Sequence, residues 1–379
     1  MKRVTMKKVT MKKGSLAVIG ICSGILLLVG ADPKRPAAQD DSTNFRVNVV
    51  LVQLNVAVTD HKGNYIGDLH PEDFQVTEDN IPQHIATFEE GNESAVAVGR
   101  STAAVDKSAP ATVAAKDAQP SDPSSGTDPS GIQVSHAAGA NVFILFDTSN
   151  YMYRQFVFAQ DAIADFVRSM DEASRIAFYS YSRNLSRAAT LTTDRYRVVN
   201  GVRSTVAGDD AALYNSLLLT VEDAARLKGR KAIVVFSNGP DNASSVPPED
   251  VAELAQSTGT IIYIISTRLA QAEPVSAAAF ARMSKATGGR AYFAGNWRQE
   301  QQAFSSIRED LSHLYTLSYY PQANPNRGWR TIKVQLVGKD LQKYHLRTRD
   351  GYRLLPHIAA PDDNDVASTP EPNTDPDPK

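Results

Sequence analysis

Apolar and polar residues alternate along the first part of the chain after residue 45. The alternation is clearest at Val50, Val52, Leu54, Val56 and Val58. A period of two predicts a β-strand with one buried face. Turn-forming residues follow at 60–64, and residues 74–77 and 84–88 read as two further strands joined across Glu78, Asp79 and Asn80. We therefore predict a small all-β unit over residues 45–91.

From residue 141 the pattern changes to short apolar runs that alternate with helical periodicity. The runs predict strands at 142–146, 176–181, 232–236, 260–265 and 290–293. Helices are predicted between and after them, at 153–170, 214–227, 247–257, 275–287 and 299–313. Strands that are apolar on both faces are typical of parallel sheets covered by helices. The predicted fold class is α/β, a doubly wound (Rossmann-like), mostly parallel sheet in a domain spanning 141–320.

Three more strands are predicted at 314–320, 331–337 and 344–349, with no helix between the last two. We expect the C-terminal strands of residues 321–355 to pack on the N-terminal β unit. Residues 92–138 are rich in Ala, Ser and Pro without any aromatic side chain, and are predicted to be a disordered linker. Residues 356–379 hold six acids and one lysine, and are predicted to be a disordered acidic tail.

The N-terminus has the layout of an export signal. Residues 1–13 carry six basic side chains and no acid, and an apolar run follows at 16–29. This predicts a signal peptide ending at Ala31, with an uncleaved membrane anchor over residues 1–31 as the alternative. Either reading places the rest of the chain outside the cytoplasm, in the periplasm, secreted or at the cell envelope. The only cysteine, Cys22, lies within this segment, so disulfides are not expected to stabilise an exported fold.

Charge narrows the class of partner. The chain has a formal net charge of −2, and removal of the six N-terminal cations would make it about −8. No run of basic residues remains in the rest of the sequence. We therefore expect a protein partner, no nucleic acid, and membrane contact only through an N-terminal anchor.

The motifs at the strand ends resemble those of one family. Residues 143–149 resemble the first strand and D-x-S-x-S loop of von Willebrand factor type A (VWA) domains. Residues 69–88 and the closing Arg349-Asp350-Gly351-Tyr352 resemble segments that flank this domain in bacterial exported proteins called VWFA-related. The resemblance covers roughly residues 45–353 outside the linker. It implies a VWA fold and a binding role rather than an enzymatic one.

The resemblance also implies a position for a metal ion. VWA domains often hold Mg²⁺ at the carboxyl end of the sheet with hard oxygen ligands. The matching places here are Asp147, Ser149, Asp210 and Asn238. Tyr151 replaces the second serine of D-x-S-x-S, Ala211 replaces the loop threonine, and Asn238 replaces an aspartate. We therefore predict a degenerate metal-ion-dependent adhesion site, with no bound cofactor expected and Mg²⁺ as the ion that the remaining ligands would take.

Without a metal, the same residues are expected to shape the turn, with Ser149 or Asn150 capping the helix that follows. The loops predicted to contact a partner are represented by five residues: Asn150, Tyr151, Asp209, Ala211 and Asp241.

Sequence signatures of three enzyme classes are missing. Residues 147–152 contain no glycine, which argues against a dinucleotide site, and neither G-x-S-x-G nor H-E-x-x-H occurs. The leading hypothesis is an extracytoplasmic protein-binding module. The alternative is a cell-envelope scaffold or assembly factor that works without metal through the edge of its β unit. An enzyme with an unrecognised site is the third hypothesis.

Overall fold

The computed structural model describes residues 51–91, 93, 96–98, 139–171 and 174–354. The predicted signal peptide or anchor, almost all of the predicted linker and the predicted acidic tail lie outside these residues. Within them, no helix combines the length and the apolar character needed to cross a membrane.

The elements follow the predicted order. The N-terminal part has five strands: β1 (Val52–Thr59), β2 (Phe74–Glu78), β3 (Ile81–Gln83), β4 (Ile85–Glu90) and β5 (Val96–Ala97). The central strands are β6 (Asn141–Asp147), β7 (Arg175–Tyr181), β8 (Leu185–Thr192), β9 (Lys231–Ser237), β10 (Thr260–Ser266) and β11 (Ala291–Phe293). The helices are α1 (Phe156–Ser169), α2 (Arg195–Arg203), α3 (Leu213–Ala225), α4 (Pro248–Thr258), α5 (Pro274–Ala286) and α6 (Trp297–His313). The last strands are β12 (Tyr315–Tyr319), β13 (Trp329–Leu336), β14 (His345–Arg347) and β15 (Gly351–Arg353).

The central strands form one six-stranded sheet in the order β11-β10-β9-β6-β7-β8. All neighbours are parallel except β7 and β8. Alternate residues of β6 face opposite sides: Ile144 and Phe146 pack with α1 and α6, whereas Phe143 and Leu145 pack with α3, α4 and α5. The result is a three-layer α/β sandwich, which confirms the predicted fold class.

The N- and C-terminal strands build two antiparallel sheets. Their orders are β14-β1-β12-β4-β5 and β15-β13-β2-β3. Residues of both sheets share one apolar core, including Leu54 and Tyr315 of the first and Val76 and Ile332 of the second. The predicted all-β unit made from both ends of the chain is therefore a β-sandwich.

Several predicted details need correction. Residues 314–320 were included in the 141–320 domain, but β12 pairs with β1 and β4 of the sandwich. The hairpin across Asp79 and Asn80 joins β2 to β3, because both residues adopt the positive φ that a two-residue turn requires. The chain then crosses to the other sheet at β4. A short strand, β5, lies inside the predicted 92–138 linker and pairs with β4, while β8 and α2 were not predicted.

Buried charged side chains join the sandwich to the α/β layers. Asp310 on α6 accepts hydrogen bonds from Tyr65 (2.7 Å) and Tyr263 (2.6 Å) and pairs with Arg347 of β14. The guanidinium of Arg349 donates to the carbonyl oxygens of Gln256 and Gln53. Because these contacts are buried, the two parts are connected by specific polar bonds as well as by apolar packing.

Candidate functional site

The candidate site lies where the strand order of the parallel sheet reverses. From β6 the chain moves outward to β7 and β8, then returns to β9 on the other side of β6. Loops after β6 and β9 therefore diverge at one point of the carboxyl edge. Open α/β sheets place their ligands in the crevice at such a point. Asp147, the last residue of β6, stands there.

Asp147 is fully buried and bonded to two neighbouring segments. Its Oδ1 accepts from the backbone N–H of Ser149 at 2.9 Å, and its Oδ2 accepts from the Ser237 hydroxyl of β9 at 2.7 Å. Tyr181 of β7 in turn donates to the Ser237 oxygen at 3.2 Å. Burial raises the pKa of the Asp147 carboxyl. The carboxylate therefore ties together the ends of three adjacent strands.

Ser149 does not have the predicted capping role. It precedes a single 3-10 turn, Asn150–Met152, without a side-chain bond to it, and α1 begins only at Phe156. The Ser149 hydroxyl is buried and has no hydrogen-bond partner of good geometry among the described residues. Asn150 contributes its backbone N–H, which donates to the carbonyl of Asp209 at 2.9 Å.

Tyr151 and Asn238 contact each other, but through the backbone of Tyr151. The Asn238 amide donates to the Tyr151 carbonyl oxygen, while its own Oδ1 is buried without a partner in the described chain. The Tyr151 side chain is 39% exposed. The structure thus brings the two predicted residues together with the phenol on the surface.

The loop before α3 is held by residues that sequence reasoning missed. Ala211 is fully buried, and its N–H donates to Oδ1 of Asn242 at 2.8 Å. Asp210 pairs with Arg183 and accepts from the Asn242 amide at 3.2 Å. The Arg183 guanidinium lowers the pKa of the Asp210 carboxyl. Both oxygens of the Asp210 carboxylate are therefore bonded to side chains of two other loops.

Asp209 and Asp241 differ in how far they remain available to a partner. The Asp209 side chain is exposed, and the Tyr153 hydroxyl lies 3.5 Å from its carboxylate. Asp241, in contrast, accepts from the backbone N–H of Tyr214 at 3.1 Å and from the Ser244 hydroxyl at 2.6 Å. It fixes the start of α3, so its carboxylate is engaged within the protein.

These contacts decide how well the residues fit a divalent ion. Mg²⁺ requires near-octahedral oxygen ligands, usually with one or two carboxylates. Both oxygens of Asp147 already accept hydrogen bonds, and the Asp210 carboxylate is held by Arg183. Ala211 offers only a methyl group in place of a ligand oxygen, and Asn238 Oδ1 is buried. The donor set does not fit Mg²⁺. Within the described ranges, no group of three or more His, Cys, Asp or Glu side chains is arranged to hold a metal.

The von Willebrand factor type A domain family matches this chain over residues 141–306. The match begins with β6, ends within α6 and includes the loops just described. The chain contains a VWA domain. The resemblance drawn from residues 143–149 is therefore confirmed. No curated protein matches the sequence.

Solved structures with a similar fold include three bacterial proteins. An aerotolerance-related membrane protein from Bacteroides fragilis is 17% identical, with 45% of this chain and 99% of that chain covered and a TM-score of 0.40. The vWF domain of the type V pili tip protein Mfa5 from Porphyromonas gingivalis is 13% identical, with 46% and 95% covered and a TM-score of 0.38. A von Willebrand factor type A protein from Catenulispora acidiphila is 12% identical, with 57% and 67% covered and a TM-score of 0.37. At these identities the likeness concerns the fold alone.

Proposed function

We propose that the protein is an extracytoplasmic protein-binding module, not an enzyme. It recognises its partner through the loops at the carboxyl end of the VWA sheet, where a degenerate metal-ion-dependent adhesion site has lost its divalent ion. The VWA family match supports a protein-interaction role. The basic residues 1–13 and the apolar run at 16–29 support export.

The observation that carries this proposal is the hydrogen bonding between the three loops predicted to contact a partner, at residues 147–152, 208–213 and 238–244. The Asn150 N–H donates to the Asp209 carbonyl, the Ala211 N–H to Asn242, and the Asn238 amide to the Tyr151 carbonyl. Each bond joins one loop to another. A loop face that is held in place before binding loses less conformational freedom on association, so it favours recognition without an ion to organise it.

Protein groups replace the ion in this arrangement. Around Mg²⁺ the loops would be drawn together by shared coordination, whereas here amide and guanidinium groups make the corresponding links. The Arg183 guanidinium supplies positive charge to Asp210. Partner contact then depends on the shape and surface chemistry of the loops rather than on an acidic residue that completes a coordination sphere.

A second candidate function is a cell-envelope scaffold that captures partners at the edge of the β-sandwich. It is favoured by a cleft of about 540 Å³ beside β3, β4 and β5, lined in part by Phe74, Ile85, Val98 and Tyr320. β5 is only two residues long, and Val96 on it is exposed. An extended segment can add to such an edge through backbone hydrogen bonds.

Site-specific photo-cross-linking distinguishes the two candidates. A photoreactive residue is placed at Tyr151 on the loop face, at Val96 on the sandwich edge, or at Tyr196 as a matched exposed control. In cells that produce the full chain, we expect a discrete adduct from position 151 that also forms in EDTA. An adduct only from position 96 would favour the scaffold, and loss of the position 151 adduct in EDTA would contradict the metal-free mode.

A further inference from the structure

We propose that the partner of the loop face presents an apolar surface, and that exposed aromatic and aliphatic side chains around the VWA loops form the contact. This inference rests on the proposed function and specifies the chemistry of the partner.

The first group of these side chains lies between the end of β6 and the first turn of α1. Tyr151, Tyr153, Val157 and Phe158 are all exposed, the last of them by 66%. Large apolar side chains of a helix start normally turn toward the core, as Phe156 does here by packing against it. These four exposed residues lie within eight positions of the chain and are called the strip here, whereas isolated exposed apolar residues need no explanation.

A second group continues the strip around the same end of the domain. Val206 precedes Gly208 in the loop before α3, Leu269 follows β10, Val275 is in the first turn of α5, and Trp297 begins α6. All four are exposed, Val275 by 83%. We call the two groups together the apolar rim.

Contacts between the loops show that the segments carrying the rim are adjacent. The Tyr153 hydroxyl donates to the Gly208 carbonyl at 3.0 Å, which joins the first strip to the loop carrying Val206. The Thr267 hydroxyl lies 3.8 Å from the sulfur of Met152, which brings the loop after β10 to the same place.

Trp297 and Val275, the remaining two members of the rim, lie near other loops of the same end. Leu269 packs over Gly295, where an added Cβ would lie 3.2 Å from its side chain, and Trp297 follows two residues later. Ser276, beside Val275, lies against Gly239 of the loop after β9. The residues of the rim therefore lie on neighbouring loops at the carboxyl end of the sheet, the end that also carries the Asp147 turn.

Most charged groups of this face are paired or bonded within the protein. Asp210 pairs with Arg183, and Glu273 pairs with Arg268 at 2.7 Å. Of the remaining groups, Asp241 is bonded to the start of α3, and the Arg298 guanidinium lies over the Trp297 ring. Exposed Arg154 and Asp209 have opposite signs. At the start of α4, Glu249 lies 3.5 Å from Arg282, and Asp250 is exposed. A face rich in aromatic side chains whose charges are mostly paired is complementary to an apolar partner surface and offers little to a strongly charged one.

The test is a selection of random displayed peptides on the purified full chain, run in parallel in EDTA and in magnesium chloride. We expect selected peptides to be rich in aromatic and aliphatic residues, without an acidic consensus, and to bind equally in both buffers. Phe158→Ser should weaken their binding about ten-fold, the effect of removing one contact of about 1.4 kcal/mol. Phe158→Leu should retain most of the binding.

Tyr196→Ser is the matched control, because Tyr196 is also an exposed aromatic residue in the first turn of a helix. It lies at the opposite end of the domain, since α2 follows β8 where Thr192 pairs with Ile176 near the start of β7. Binding should be unchanged in this variant. Thermal unfolding of each variant checks that the fold is intact.

Three results overturn the inference, and the first of them is distinguishable from a failure of the proposed function. Acidic peptides that need magnesium and are lost in Phe158→Ser would contradict the apolar partner but keep binding at the loop face. Peptides that bind Phe158→Ser and the parent chain equally well would contradict both proposals, as would a selection that yields no binding peptide.

Discussion

Two fully buried carboxylates, Asp310 and Asp147, have opposite surroundings. Asp310 is paired with Arg347 and accepts from two tyrosine hydroxyls, so its charge is balanced where α6 meets the β-sandwich. Asp147 accepts from the Ser149 N–H and the Ser237 hydroxyl and lies beside the Tyr181 hydroxyl, and no ion pair of the described residues involves it. Burial without a cation is what raises the pKa of Asp147.

The surroundings of the two carboxylates distinguish the structural junction at Asp310 from the candidate site at Asp147. At the junction, Asp310 faces the Arg347 guanidinium, and Glu78 is likewise matched by Arg330, Tyr319 and Tyr352. At the loop face, Asp147 has no cation, Asn238 Oδ1 has no partner among the described groups, and Ser149 Oγ has none of good geometry. Proteins usually satisfy buried polar atoms and depart from this at functional sites. The loop face is therefore one place where the fold departs from structural optimisation, and it differs from the junction, where Arg347 Nε and Arg349 Nε also have no partner among the described groups, in holding a buried carboxyl group without a cation.

The largest expected effect is the loss of the Asp310 charge. Asp310→Asn leaves Arg347 buried opposite a neutral group, which should lower the free energy of unfolding by about 3–5 kcal/mol. Chemical denaturation of the full chain measures this. The double variant Asp310→Leu with Arg347→Met should recover much of the loss, because it removes both charges. A single-variant cost near zero would mean that the junction does not depend on the pair.

The next largest effect is a gain of metal binding. Restoring oxygens by Tyr151→Ser, Ala211→Thr and Asn238→Asp should allow Mg²⁺ to stabilise the fold. The gain should be about 2.7 kcal/mol when the free ion is at a hundred times its dissociation constant. The parent chain should show no Mg²⁺-dependent shift of its unfolding temperature. Saturable magnesium heat in the parent, abolished by Asp147→Ala, would overturn the metal-free interpretation.

A smaller effect is expected at Asp147 itself. Asp147→Ala removes the acceptor of the Ser149 N–H and the Ser237 hydroxyl, and should cost about 1–3 kcal/mol of unfolding free energy. Asp147→Asn keeps the shape and one acceptor without the buried charge, so it should cost less than the alanine variant. Denaturation of both proteins at neutral pH provides the measurement. An asparagine variant as unstable as Asp310→Asn would remove the contrast between the two carboxylates.

The smallest effect is a dependence on pH. Because the folded-state pKa of Asp147 is raised, its proton stabilises the fold fully below the unfolded-state value of about 4. That contribution is lost as the pH rises through the folded-state pKa. The stability of Asp147→Asn relative to the parent chain should therefore increase from acidic to neutral pH. A series of unfolding curves checks the sign, and a decrease over that interval would contradict it.

The central strands could be predicted because their sequences are apolar on both faces. The run at 232–236 became β9 and the run at 260–265 became β10, since such segments have little alternative to burial. β8 was missed because its sequence, Leu185–Thr192, includes exposed polar positions at the antiparallel edge. Pairing across long separations was also hidden, as in β4, whose partner is β12 rather than β2.

The sequence alone placed Asp147 at the end of the first parallel strand and identified the oxygens lost at Tyr151, Ala211 and Asn238, because these are properties of residue type and order. Only the tertiary structure decided which side chains bond the polar groups of the site: Ser237 bonds Asp147, Tyr181 bonds Ser237, Arg183 bonds Asp210, and Asn242 bonds the Ala211 N–H. It also decided that apolar side chains from distant loops lie at the same end of the domain. Hydrogen bonds and surface patches depend on distances between segments far apart in the chain. Those distances are set by how the sheet and its helices pack.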